Sequence, residues 1–209
     1  MRKTIDEISS YLDAVNEFSL PLYRELPNVD LYMEQVLKYI NGVLASLSKE
    51  GENALTSFMV NNYVKGKLVS EPVKKKYSKD QIGYLLAISL MKQTLSMADM
   101  GLLIELDRGI SADKEKLYAF WSRLEQTLLS DASKRTKSKV NAVAKRYESE
   151  LEAGDESAEL NARDALGFIA LRLAIQAQAN KLLSDYILSK LRESETNLTK
   201  KPTKGKKNK

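Results

Sequence analysis

Residues 55–90 read LTSFMVNNYVKGKLVSEPVKKKYSKDQIGYLLAISL. Thr56 is placed to cap a short helix whose apolar surface is Phe58, Met59, Val60 and Tyr63, and Gly66 ends it. Four apolar side chains do not stabilise so short a helix alone, so it must dock on its neighbours. Pro72 prevents helical continuation. Leu68 and Val69 are expected as a brief strand, with Val73–Tyr77 returning as the second arm of a small hairpin, or wing. Ser78 then caps the helix KDQIGYLLAISLMKQT, with Gln81 at its third position completing the amide form of a capping box.

The same stretch concentrates positive charge. Lys65, Lys67, Lys74, Lys75, Lys76 and Lys79 face a single acid, Glu71. Such a cluster attracts phosphates and gains free energy by releasing their counterions. Thr56, Ser57, Asn61, Asn62 and Tyr63 lie just ahead of it; Asn pairs with adenine in the major groove, and hydroxyls contact phosphate. A lysine run alone reads more readily as a solubilising surface. Its placement between a short capped helix and a second helix turns the reading toward double-stranded DNA, with Tyr77 closing the wing's contact set.

Outward from this segment the chain is helical. Ile5, Ile8, Tyr11, Leu12, Val15 and Phe18 form one apolar stripe. Pro21 and Pro27 bracket an irregular connection. Asp30 is the expected cap of a helix LYMEQVLKYINGVLASL that buries Leu31, Val36, Tyr39, Ile40, Val43, Leu44 and Leu47. Ser96 opens a short helix closed by Gly109. No proline occurs between Pro72 and Pro202, and three further helices are expected: one from Asp113 with Leu117, Phe120, Trp121, Leu124 and Leu128 on a broad face, one ending near Gly154, and one over 158–192. The expected division is 1–110, 111–193 as a helical bundle or dimerisation region, and a disordered lysine-rich tail over 194–209.

Composition narrows the chemistry. With no Cys and no His, disulfides, thiolate metal sites, cysteine nucleophiles and the usual neutral-pH base are excluded. No HExxH, Walker A, GxGxxG or GxSxG pattern occurs, and Glu148 with Glu152 reads as a solvated helix face, so the chain is not read as an enzyme and no cofactor is expected. The formal charge is +5, but residues 200–209, KKPTKGKKNK, carry six lysines and no acid, leaving 5 − 6 = −1 for the rest. Local distribution therefore matters more than the overall balance. The opening MRKTIDEISS lacks an apolar core for a secretory signal, and no segment has the length of a transmembrane span, so a cytoplasmic location with no membrane partner is expected.

The residues from 56 to 78 resemble the DNA-binding domain of MerR-family regulators, a winged helix-turn-helix. From about Leu31 to Leu106 the chain resembles the DUF1836 group of bacterial proteins, whose domain is MerR-like. Thr56 matches the start of the family's recognition helix, Asn62 and Tyr63 fall on its paired-tyrosine stretch, and Lys67, Leu68 and Val69 match its exit. Lys75, Lys76, Tyr77 and Ser78 match the basic wing, Asp80, Ile82, Leu85, Leu86 and Ile88 the next helix, and SMADMGLLIEL the leucine-rich helix after it. Departures are equally specific. Asn61 and Asn62 stand where MerR members have arginine and tyrosine, Lys67 occupies the usual glycine position, and SKEGEN replaces a tight turn.

The resemblance implies a MerR-like winged domain in a mainly α protein; the helices that follow are read from their apolar spacing as a bundle or a dimerisation region. The function expected is a dimeric, sequence-specific transcriptional regulator, with a protein-interaction module on the same scaffold as the alternative. A third reading is a sensor for an unidentified small-molecule or protein effector, with a pocket among Tyr118, Phe120, Trp121 and Phe168.

Overall fold

A computed structural model describes residues 1–48, 51–110 and 113–199, apart from the side chains of 107–110 and 195–199. Among the described residues the chain is mostly helical, with one two-stranded sheet. The order is α1 (Arg2–Glu17), a 3-10 turn (Tyr23–Glu25), β1 (Leu31–Tyr32), α2 (Met33–Val43), a 3-10 turn (Ala45–Leu47), α3 (Ser57–Lys65), β2 (Lys76–Tyr77), α4 (Lys79–Met91), α5 (Met97–Ile110), α6 (Lys114–Glu152) and α7 (Ala158–Thr199). The chain divides into two compact units, Met1–Ala170 and the part from Leu171 onward.

The first unit is built around α4. Its sequence is apolar on all sides, which suits a helix surrounded by others. Ile82, Leu85, Leu86 and Ile88 are fully buried against Val36, Ile40 and Leu44 of the α2 segment, Leu55 and Val60 around α3, and Met100 of α5. Tyr118 of α6 closes this core where α4 has no side chain: a Cβ on Gly83 would lie 3.1 Å from the Tyr118 ring. A second core joins α1 to α6 and the start of α7 through Ile5, Leu12, Val140, Tyr147, Ala158 and Ala162. Here α1 runs antiparallel to α6: Arg2 bonds Glu148 at 3.0 Å, Asp13 pairs with Lys137, and Asn16 accepts from Ser130 at 2.8 Å.

Several sequence expectations change. Asp30 does not cap α2. Leu31 and Tyr32 are extended as β1, so the helix starts at Met33, and the Gln35 amide oxygen accepts the Tyr32 N–H at 2.9 Å. Leu68 and Val69 form no strand; they are buried in the core. Lys76 and Tyr77, expected in the second arm of a hairpin, pair instead with β1, antiparallel, in the register Leu31 to Tyr77 and Tyr32 to Lys76. The two helices expected between 113 and 154, the second formed by the basic stretch, are one continuous helix, because no proline or glycine stands where they join. Helix α7 continues to Thr199, into the expected tail, and residues 200–209 lie outside the described residues.

Candidate nucleic-acid interface

Helix α3 is fixed at its entry by two side chains from other helices. Asn41 of α2 reads the backbone of Leu55 from both sides: its Nδ2 donates to the Leu55 carbonyl at 2.9 Å and its Oδ1 accepts the Leu55 N–H at 2.8 Å. Lys92, just past α4, donates to the Ala54 carbonyl and approaches the Met59 sulfur at 3.4 Å. Burial holds the Lys92 ammonium below the usual lysine range, against an opposing pull from Glu52. Thr56 caps the helix, its Oγ1 accepting the Met59 N–H at 3.3 Å. The Thr56 hydroxyl is therefore engaged in structure, while Ser57, Asn61 and Lys65 are exposed and Asn62 is half-buried.

Tyr63 and Tyr77, expected at the contact surface, are core side chains, 6% and 3% exposed, and burial raises both phenols above their ordinary pKa. They support the surface from beneath. Phe58 takes the opposite role: expected to pack inward, it is 73% exposed on the first turn of α3. It lies three residues before Asn61 and seven before Lys65, so these side chains share the outer face of the helix.

The exit of α3 is a Schellman turn. The Leu68 N–H bonds the Tyr63 carbonyl at 2.9 Å and the Lys67 N–H bonds the Val64 carbonyl at 3.0 Å. The residue between these closures must be left-handed, a position where glycine is the usual choice, and Lys67 adopts it with φ +61°. The wing repeats the pattern. The Lys76 N–H closes on the Val73 carbonyl at 3.0 Å, and both central residues, Lys74 and Lys75, have positive φ, +52° and +65°. Positive φ at both centres is the mark of a type I′ hairpin turn, a site that favours Asn-Gly. Lys67, Lys74 and Lys75 are the non-glycine residues with positive φ among those described. All three are exposed, and no described acid lies within ion-pair distance of them or of Lys65 and Lys76.

The base of the 70–78 segment is held by Gln81, a buried side chain of α4. Its Nε2 donates to the Ser70 carbonyl at 2.8 Å and the Glu71 carbonyl at 3.2 Å, while its Oε1 accepts the Ser78 N–H at 2.7 Å. The capping-box pattern revealed the last of these bonds. The first two are long-range and had no signal in the sequence. Lys76 is half-buried, its ammonium 4.9 Å from the centre of the Tyr32 ring.

Residues 21–124 match the family described as Domain of unknown function (DUF1836). The DUF1836 match takes in β1 through α5 and the first turns of α6, and so includes α3, the wing and Gln81. No curated protein and no solved structure matches the chain.

Within the DUF1836 segment a cleft of about 300 Å³ lies between α4, α5 and the start of α6. Tyr118, Phe120 and Trp121 line it, as the third sequence reading expected; Phe168 does not, being exposed on α7. No described helix is long and apolar enough to cross a membrane, and the described residues contain no group of three or more acids able to hold a metal ion.

Proposed function

We infer that the protein is a sequence-specific transcriptional regulator that binds double-stranded DNA through a MerR-like winged helix-turn-helix. Helix α3 would enter the major groove with Ser57, Asn61 and Lys65 outward, and the turn at Lys74–Lys75 would meet flanking phosphates. The observation that carries this reading is the set of three exposed lysines in left-handed backbone, at turns where glycine or asparagine folds more easily. Each costs on the order of 1 kcal/mol of conformational strain, and strain of this kind clusters at functional sites. The order β1, α2, α3, turn, β2, α4, α5 supports the winged topology. In the second unit, Leu171, Ile175, Leu182 and Tyr186 are exposed on one face of α7, which supports pairing of two copies.

A protein-interaction module is the second reading. It is favoured by Phe58 and Val73, large apolar side chains that are 73% and 70% exposed on α3 and on the wing. On DNA, Phe58 would meet a thymine methyl instead. Selection from random duplexes by the full-length protein, followed by competition with mismatched sites, separates the two readings. Asn61→Ala is expected to lose roughly 1–3 kcal/mol of discrimination at its own base pair. Absence of an enriched sequence, together with no duplex binding at low salt, would leave the interaction reading in its place.

A further inference from the structure

We propose that the cleft between α4, α5 and α6 is a binding site for a small amphipathic carboxylate, its apolar body among the aromatic side chains and its head on the Lys114 ammonium. The walls are those of a ligand site: mostly apolar and aromatic, with a few polar groups gathered at one end. Phe120 and Trp121 of α6 face Tyr84 and Met91 of α4 and Leu103 of α5. Every lining residue, from Tyr23 to Leu124, falls inside the DUF1836 match.

The polar end decides the charge of the ligand. Asp80 already carries a positive partner and a hydroxyl donor, one on each oxygen. One carboxylate oxygen accepts the Tyr23 hydroxyl and the other accepts Lys114. Burial pushes the Asp80 carboxyl up, but Lys114, Tyr23 and Lys79 outweigh it and hold the group below its usual range. A ligand cation would meet the positive charges of Lys114 and Lys79 at the same carboxylate. Lys114, by contrast, is more than half exposed and spends one donor on Asp80, leaving donors free for an incoming anion without breaking a bond. Lys114 is also the first residue of α6, so the positive end of that helix lies at the polar end of the cleft. Asp113 and Glu115 flank Lys114 and limit the field, which suits a single carboxylate better than a multiply charged head.

The site does not depend on the DNA reading. Its place nonetheless gives it reach: Asp80 sits two residues beyond Ser78, whose cap follows directly on β2.

Trp121 is the single tryptophan of the chain and lines the cleft, so its emission reports occupancy without a label. Full-length protein is titrated with decanoate, decan-1-ol and decyltrimethylammonium, each below its micellar concentration. Decanoate should shift Trp121 emission saturably and bind at least tenfold more tightly than the other two. Lys114→Gln, at an exposed side chain, should weaken decanoate about tenfold and leave decan-1-ol unchanged. Ala87→Phe, which fills the cleft, should abolish the response while circular dichroism is retained. No saturable shift, equal binding of the three head groups, or unchanged decanoate binding in Lys114→Gln overturns the proposal.

Discussion

The ammonium of Lys76 lies 4.9 Å from the centre of the Tyr32 ring, its register partner across the β1–β2 pair. This contact ties the wing to the strand that leads into α2, and it removes Lys76 from the freely solvated lysines beside it. The wing lysines should therefore differ. Lys74→Ala and Lys75→Ala should each reduce the salt slope of duplex binding by about one, and Lys76→Ala by less. Tyr32→Ala should cost roughly 0.5–1 kcal/mol of stability through the lost cation–π contact and make Lys76→Ala behave like its neighbours. A salt titration of the single and double variants measures this; equal slopes for all three lysines would remove the distinction.

The wing turn sets stability against binding. Replacing Lys74 and Lys75 with Asn and Gly supplies residues that accept positive φ. The double variant should unfold at higher denaturant, with a gain of about 1 kcal/mol after allowing for the freer unfolded glycine. Its duplex binding should weaken alike for all sequences. Urea denaturation and anisotropy on the same preparation give both numbers. A variant no more stable than the parent would show that the turn relaxes without strain.

The bounds of helix α3 and the Ser78 cap were legible because capping is local: Thr56 and Ser78 each bond within four residues, and α3 ends at Lys65 with Gly66 as its cap. The lysine run was legible as charge. Its backbone was not, since nothing local requires Lys67, Lys74 and Lys75 to be left-handed; the core fixes Leu68, Val69 and Tyr77 and the chain between must comply. The outward turn of Phe58 has the same origin. Phe58 and Tyr63 are both aromatic residues of one short helix, and only its docking decides which of them turns outward. The apolar and the basic halves of α6 differ in composition, but a change of composition alone does not end a helix, and no residue there does.

Asn41 offers a test of how α3 is held. It stands in for a tight turn by bonding both polar backbone groups of Leu55, a buried residue. Asn41→Ala leaves that donor and acceptor without a side-chain partner, at about 1–3 kcal/mol for a buried group. Asn41→Asp keeps the acceptor and loses the donor, so it should fall between the parent and the alanine variant. Chemical denaturation orders the three. If all are equally stable, α3 is positioned by apolar packing alone.

The exposed face of α7 gives an assembly prediction. Ile175 and Leu182 are seven residues apart and both exposed. Sedimentation of the full-length protein should give a dimer at micromolar concentration, and Ile175→Glu with Leu182→Glu should give a monomer of unchanged helicity. On the proposed DNA reading, two such copies would place their α3 helices on half-sites about 34 Å apart, or a multiple of it. A monomeric parent protein would exclude the paired arrangement.

Glu125 makes the fold sensitive to pH. One of its carboxylate oxygens is buried on α6 without a hydrogen-bond partner, and burial raises the group to about pKa 7 from an ordinary 4.5. The folded chain thus holds this proton more tightly than the unfolded chain does. Below pH 4.5 both states are protonated and the group carries no penalty. As pH rises from 4.5 toward 7 the unfolded state releases its proton first, so the contribution of this site to stability falls, and it stays low above 7. Allowing for partial solvent screening, the loss is on the order of 1–2 kcal/mol. Glu125→Gln, which cannot ionise, should therefore be more stable than the parent at pH 8 and should lose the advantage near pH 4.5. Urea midpoints for both proteins across that range measure the crossover. A difference that stays constant with pH would mean that Glu125 titrates normally in the folded protein.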